Sequence, residues 1–344
     1  MDSYVGLDVS LREVSACVVD EAGTIQFERT LAADPDVIAA WVHAQAPTVR
    51  RVGLESGPTS AWLWRELAKR GLPVICIDAR HAKAALSMQI NKSDRNDAAG
   101  IARIMQTGWY REVQVKSPHS HAIRGLLNSR SLLVKVQRDL ENQLRGLLKS
   151  AGLIVGRAKD GVFSARTKQL LAAHIDLAAI ALPLLEAREA IHQQLVQLER
   201  RVRQLAKEHR QTSAFMTVPG IGPMTALAFL ATVDDPRRFR RARAIGAYVG
   251  LTPRRYASGE VDWTGRISKC GDTMLRTYLF EAAGVLLTRV QKWCALKAWG
   301  LRLAKRSGMK KARTAVARKL AVILLRMWRD GTQFHWTAAP PAAS

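Results

Sequence analysis

The feature that most limits what this chain can fold into is a change of hydrophobic period near residue 119. Before it, apolar residues alternate along short runs; after it, they fall on heptad lines. Leu126, Leu133, Leu140 and Leu147 recur every seventh residue, with Ile123 and Leu144 on a companion seam. A second set repeats the pattern, Ile191, Leu198 and Leu205 on one line, Leu195 and Val202 on the other. Residues so spaced share one face of a helix. Two such helices with a Gly-containing connector form either an antiparallel hairpin within the chain or a dimerising coiled coil. Arg130 and Gln137 at seam positions weaken the case for a continuous apolar zipper.

The stretch before this is different. Residues 4–8, 14–19 and 24–29 alternate as strands, and Glu21-Ala22-Gly23 separates the last two, so a three-stranded meander is expected. Asp34 caps a helix through about residue 44, with Pro35 in its first turn. Short strands at 52–55 and 73–78 flank a helix at 58–70, and a further helix covers 92–107 with Ser93 as its cap. Strands first, then alternation with helices, describe a mixed α/β sheet. After Phe215, short helices, Gly-Pro punctuation and Arg clusters run to Trp336, and 338–344 is a loose tail. The expected architecture is α/β plus α.

Charge follows the same division. The 344 residues hold 53 Lys and Arg against 29 Asp and Glu, a net of +24. Residues 1–100 contribute −2 and the remainder +26. A basic excess confined to one part of a chain points to a polyanion, with nucleic acid the first candidate. An apolar fraction of 48% excludes disorder. Cys17, Cys76, Cys270 and Cys294 show no CxxC spacing, which excludes a disulfide scaffold and suits a reducing compartment. No apolar run reaches the ~18 residues of a membrane span, and the N-terminus lacks a secretory pattern. A cytoplasmic protein is expected.

In the near-neutral part the carboxylates stand out. Asp8 lies in the first strand, opposite its apolar neighbours Leu7 and Val9, and Glu55 closes the fourth. Asp94 and Asp97, three apart at a helix start, share a face. Such a set suits two Mg²⁺ ions about 3.5–4 Å apart, clamping the attacking and leaving oxygens of a phosphodiester. Each residue also has a plainer reading. Asp94 would complement the helix dipole, and Asp97 would pair with Arg95 or Lys92. An Asp in an apolar strand, however, needs a partner. The Gly6-Leu7-Asp8-Val9-Ser10 hairpin also suits the phosphate loop of actin-like kinases. Against that stand the missing Gly-rich nucleotide loop and the +26 region.

In the basic part, Pro219-Gly220-Ile221-Gly222 between two helices has the shape of a helix-hairpin-helix. Gly220 and Gly222 would let backbone N–H groups approach a phosphate; the plain alternative is a tight turn. Ser258-Gly259 lies in a polar loop with Arg254 and Arg255 nearby and Arg266 and Lys269 beyond. A serine attacking a phosphodiester needs such cations, although most Ser-Gly pairs are only turns.

With these residues in view the chain resembles the DEDD-type insertion-sequence transposases, the serine-using recombinases guided by a bridge RNA. The likeness rests on Tyr4-Val5-Gly6-Leu7-Asp8-Val9-Ser10, Leu54-Glu55-Ser56-Gly57, Asn91-Lys92-Ser93-Asp94-Arg95-Asn96-Asp97-Ala98, Pro219-Gly220-Ile221-Gly222, Gly250-Leu251-Thr252-Pro253, Ser258-Gly259 and Gly265-Arg266-Ile267-Ser268-Lys269. It implies a RuvC-like, ribonuclease H-like domain at 1–115, a coiled-coil region at 116–212, a transposase domain at 213–337 and a tail at 338–344. Asp8, Glu55, Asp94 and Asp97 become ligands of Mg²⁺, with Mn²⁺ able to substitute. Ser258 becomes the nucleophile in preference to Ser268, and Gly220, Gly222, Arg254, Arg255, Arg266 and Lys269 bind nucleic acid. The implied partners are double-stranded DNA (element ends and target), a structured guide RNA and further copies of the chain, as dimer or tetramer, with no membrane. The implied setting is the bacterial nucleoid, and the implied activity is excision and insertion of an element through a phosphoserine intermediate. A stand-alone RuvC-like structure-selective nuclease, for which Ser258 is idle, and a non-catalytic nucleic-acid scaffold are the alternatives. Glu260, Asp262 and Trp263 make the stretch after Ser258 more acidic than the likeness leads one to expect.

Overall fold

In the computed structural model, which describes residues 2–87, 93–158 and 160–336, the opening alternation becomes β1 (Ser3–Val9), β2 (Glu13–Val19) and β3 (Ile25–Ala32), an antiparallel meander. Asn91 and Lys92 of the acidic motif and the tail 338–344 lie outside the described residues. α1 (Pro35–Gln45) starts where the Asp34 carboxylate accepts from the N–H groups of Asp36 and Val37. β4 (Val49–Glu55), α2 (Ser60–Lys69) and β5 (Val74–Ile77) follow, and β1, β4 and β5 run parallel. The sheet order β3-β2-β1-β4-β5 agrees with a ribonuclease H-like domain. α3 (Ala79–Leu86) and α4 (Asp94–Thr107) complete a compact unit, Met1–Lys116. α3 escaped the sequence reading because Ala82 is its only buried residue, too few to set a period.

Strand parity sorts this sheet's two faces. Val5, Leu7, Val52 and Leu54 point one way and are buried with Ile38, Val42, Leu63 and Leu67 of α1 and α2. Each such aliphatic side chain contributes about 1.5–3 kcal/mol by leaving water. The opposite face carries Gly6 and Gly53, paired in register, and α4 lies directly on them. A Cβ on Gly6 would stand 2.1 Å from the Ala98 carbonyl oxygen and 2.4 Å from the Ala102 nitrogen, so only glycine admits the helix this close. On Gly53 the nearest atoms belong to the Met105 and Ile101 side chains instead.

The second compact unit, Ser117–Ser344, opens with α5 (Pro118–Ser150), α6 (Asp160–Leu171) and α7 (Ile175–Glu208). α5 and α7 form the antiparallel hairpin of the two arrangements open from sequence: Arg130 pairs with Glu199, and Arg188 with Glu141. Of the two heptad lines on each helix, the companion line is the buried one. Ile123, Leu127, Leu144 and Leu148 are buried on α5, and Leu185, Leu195, Val202 and Ala206 on α7. Leu126, Leu133, Leu140 and Leu147 are only half-buried. Two polar pairs occupy the middle of the hairpin, so apolar packing gathers at its two ends. In one of these pairs Arg188, 2% exposed, lies 2.8 Å from Glu141 and 5.3 Å from the Phe163 ring centroid.

Beyond the hairpin come α8 (Arg210–Phe215) and α9 (Pro223–Val233), the latter buried from Thr225 to its end. A 3-10 turn (Pro236–Arg238) and α10 (Ala244–Tyr248) lead to β6 (Pro253–Ser258) and β7 (Val261–Ile267), an isolated antiparallel pair. α11 (Thr273–Thr288), α12 (Ala295–Ser307) and α13 (Met309–Asp330) close the unit around Phe215, Phe229, Leu279, Leu320 and Leu324. Asp234, at φ 63, ends α9 and accepts from the Ser117 N–H and from the Ser117 and Ser120 hydroxyls, fixing the start of α5. The polar loop expected around Ser258 is instead the β6–β7 hairpin. Its residues are exposed on both faces, so no apolar alternation marks it.

Candidate active site

Asp8 and Glu55 sit one residue beyond the registered pair Leu7 and Leu54, at the same level on adjacent parallel strands. By parity both share the α4 face with Gly6 and Gly53. Ala98 and Ala102 cross over Gly6, while Tyr4, two residues earlier on the strand, packs among residues as far as Met105. Strand and helix therefore run in opposite senses. Two strand residues past Gly6 is ~6.6 Å, equal to four or five helical residues, which leads from Ala98–Ala102 back to Asp94 and Asp97. Asp8 and Glu55 are half-buried, Asp97 is half-buried and Asp94 exposed. The Ser93 hydroxyl accepts from the Asn96 N–H and starts α4 there. Arg95 Nε donates to Glu28 on β3 at 2.6 Å, tethering the same turn to the sheet.

The four carboxylates offer only oxygen donors, with no thiol or imidazole among them, and that chemistry fits a hard divalent cation. As the side chains stand, no three His, Cys, Asp or Glu among the described residues converge about one point where an ion would sit. The backbone brings the set to one end of the sheet; the side chains do not close it.

Ser258 ends β6, exposed, opposite Val261 across the turn Gly259-Glu260, with Gly259 at φ 56. A glycine at positive φ in the first turn position suits a two-residue hairpin. Arg254 shares the Ser258 face of the strand, and its guanidinium donates to the Ser268 carbonyl at 3.3 Å. Arg255 points to the other face and is held by both Asp262 oxygens, at 2.9 and 2.6 Å. That pair keeps the Asp262 carboxyl below its ordinary range. One of the acidic residues noticed in the sequence, Asp262, thus occupies a cation assigned to nucleic acid. Pro253 pairs with Ile267, so Arg266 lies near the hairpin's base, five residues from Val261 and roughly 17 Å along the strand from the level of Ser258. Lys269 is farther still in sequence. Neither shares the serine's surroundings, and Arg254, level with Arg266 and four residues before Ser258, is itself roughly 13 Å along the strand from it.

The glycines of the helix-turn-helix segment also divide. Gly220, at φ +88, faces α11, where a Cβ would meet the Ala282 carbonyl oxygen at 2.5 Å; its lack of a side chain serves helix packing. Gly222 caps α9, and a Cβ there would meet nothing within 4 Å. Sequence reasoning passed over two groups. Tyr256 and Trp263, a registered pair on the Ser258 face, stack at 6.0 Å and are both more than half exposed. Arg302, Lys311, Arg318, Lys319 and Arg326 of α12 and α13 are all exposed. Their one sequence signal was a seven-residue spacing, Lys311 to Arg318 and Lys319 to Arg326.

Two family models match the chain. One, described as transposase IS116/IS110/IS902 family, covers residues 212–298, and a DEDD transposase model of the IS110 group covers residues 5–152. The transposase for insertion sequence element IS1111A of Coxiella burnetii is 31% identical over 331 residues, 93% of this chain and 88% of that protein. A probable family 20 transposase of Pseudomonas aeruginosa is 33% identical over 274 residues, 77% and 80% of the two chains. The transposase for insertion sequence element IS1328 of Yersinia enterocolitica is 25% identical over 291 residues, 82% and 85% of the two. No helix of the described residues is long and apolar enough to cross a membrane. The chain belongs to the IS116/IS110/IS902 family of DEDD insertion-sequence transposases, enzymes that cut and join DNA and depend on a divalent metal.

Proposed function

We propose that this transposase excises and inserts its element through a covalent phosphoserine intermediate formed at Ser258, guided by a structured RNA. The observation that carries the reading is Ser258 itself, an exposed hydroxyl at the tip of a hairpin. In the step, Ser258 Oγ attacks phosphorus, an Oγ–P bond forms, and the bond to one deoxyribose oxygen breaks. The serine proton is lost and the departing oxygen gains one, so the deoxyribose leaves as a free hydroxyl. Reversal with another strand's hydroxyl joins the new partner and frees the serine.

Asp8, Glu55, Asp94 and Asp97 would hold the divalent metal, read here as two Mg²⁺ ions. When bound, it would supply Lewis-acid stabilisation of the phosphodiester oxygens. The α5–α7 hairpin, with its half-buried leucine line, would join copies of the chain as a dimer or tetramer. The basic residues would hold the RNA and the duplexes.

The test is Ser258→Ala in cells carrying the element. Loss of both excised circles and denaturant-stable protein–DNA adducts is expected, and metal-dependent strand joining that survives the substitution would sink the serine step. Asp8→Asn is expected to stop cleavage while leaving DNA binding in place; unchanged activity would favour a scaffold. RNA purified with the protein and sequenced tests guidance: DNA activity in a preparation without RNA would contradict it.

A further inference from the structure

α12, α13 and the base of the β6–β7 hairpin enclose a groove of about 1550 Å³. Nine of its twenty-four lining residues are Lys or Arg, and none of those described is Asp or Glu. Its floor is apolar, built from Leu251, Ile267, Leu296, Val322 and Ile323, together with the rings of Trp299 and Phe334. The helix period explains the arrangement. Ala312, Val316, Leu320 and Leu324 of α13 recur at four-residue spacing toward the core. Lys311, Arg318, Lys319 and Arg326 fall on exposed positions beside the groove. Lys319 Nζ lies 4.0 Å from the centroid of the half-buried Trp299 ring, so cation and aromatic face belong to one surface.

Nine like charges about one groove repel one another, and a polyanion relieves the repulsion. The floor says which kind. A duplex directs its phosphates outward and keeps its base faces stacked inside. It would meet the cations and leave the apolar floor and Trp299 against water. A single strand offers phosphates to basic walls and unstacked bases to an aromatic floor at once. We propose that this groove holds a single-stranded segment of DNA, phosphates on the cations of α13 and bases against Trp299 and Phe334. The choice of DNA rests on the reading of this chain as a strand-exchanging enzyme, since exchange must part the strands beside the cut.

The assay is fluorescence anisotropy of the full-length protein with a labelled oligothymidylate of about a dozen nucleotides, a duplex of equal length and the matching oligouridylate. Wild type is expected to bind the oligothymidylate most tightly. Trp299→Ala should weaken that binding roughly tenfold, with duplex binding unchanged and with recovery in Trp299→Phe. The paired changes Lys311→Glu and Arg326→Glu, both at exposed positions of the groove, should also weaken it. They should flatten its dependence on log salt concentration by about 0.7 for each phosphate that is no longer neutralised. Unchanged oligothymidylate binding in the charge variants, or an equal fall in duplex binding, would overturn the groove. Tighter binding of oligouridylate would overturn the assignment to DNA. Element excision by wild type is followed in parallel: its absence would refute the strand-exchange reading, while the binding series decides the groove separately.

Discussion

Gly6→Ala tests the contact that sets α4, and with it half of the acidic set, on the sheet. The new methyl would fall 2.1 Å from the Ala98 carbonyl oxygen and 2.4 Å from the Ala102 nitrogen. Both distances are more than an ångström inside the ~3.5 Å of comfortable contact. The opposing atoms are helix backbone, so no rotamer change relieves the overlap and α4 must lift by about 1 Å. Overpacking a dense core costs about 1–3 kcal/mol, and the upper end applies where only backbone can yield. For a unit of this size, ~3 kcal/mol lowers the thermal midpoint by roughly 10 °C. Asp97 precedes Ala98 directly, so lifting the helix also moves Asp94 and Asp97 away from Asp8 and Glu55. With these carboxylates in the catalytic role proposed above, a displacement near 1 Å would cost on the order of 10²-fold in rate. Calorimetry reads the first effect and element excision the second. Gly53→Ala is the comparator. Its methyl would meet the Met105 and Ile101 side chains at 2.6–2.9 Å, which can turn aside, so about 1 kcal/mol is expected. A Gly6→Ala protein melting within about 2 °C of wild type, or Gly53→Ala costing as much, would refute the reasoning.

Three further outcomes are expected. Burial raises the Cys17 and Cys76 thiols to about 11, while Cys270 is exposed. Iodoacetamide at pH 8 should therefore label Cys270 in the folded protein, and reach Cys17 and Cys76 only after unfolding, as peptide mass mapping would show. Because the folded pKa exceeds the unfolded one, the stability these thiols contribute is whole below about pH 9 and is lost as pH rises through about 11. Arg188→Ala leaves Glu141 without this partner and a gap beside Phe163, so a loss of about 2–4 kcal/mol and faster proteolysis of the 151–174 connector are expected. Arg188→Met refills the gap but still leaves Glu141 without this partner, so it should recover only the packing part of that loss, about 1 kcal/mol, and equal stability of the two variants would contradict a packed arginine. Gly125→Ala, on an exposed turn of α5 with nothing near the added methyl, should raise stability by about 1 kcal/mol in denaturant titration.

Much of the N-terminal fold was legible because its signals are local. Asp34 and Ser93 cap the helices they precede, and alternation in residues 4–29 marks three strands. Asp8 and Glu55 could be singled out as carboxylates at strand ends. That they stand level on neighbouring strands depends on the parallel pairing of β1 with β4, a contact between residues nearly fifty apart. The heptads announced two long helices and both candidate lines on each, and the companion line, Ile123 and Leu144 with Leu195 and Val202, is the buried one. Lines seven residues apart exist on every side of a helix, and which of them is buried depends on what packs against it, a contact between distant segments.

The basic half shows the limit most clearly. Composition alone placed +26 beyond residue 100. It could not tell that Arg255 would be held by Asp262, or that Arg266 would lie far down the hairpin from Ser258. Nor could it tell that cations of α12 and α13 would line one groove over an aromatic floor. Period, caps and charge belong to short stretches of chain, and so they were settled before any folding. Which charges share a surface depends on strand register and helix packing between distant segments, and only the tertiary structure brings those together.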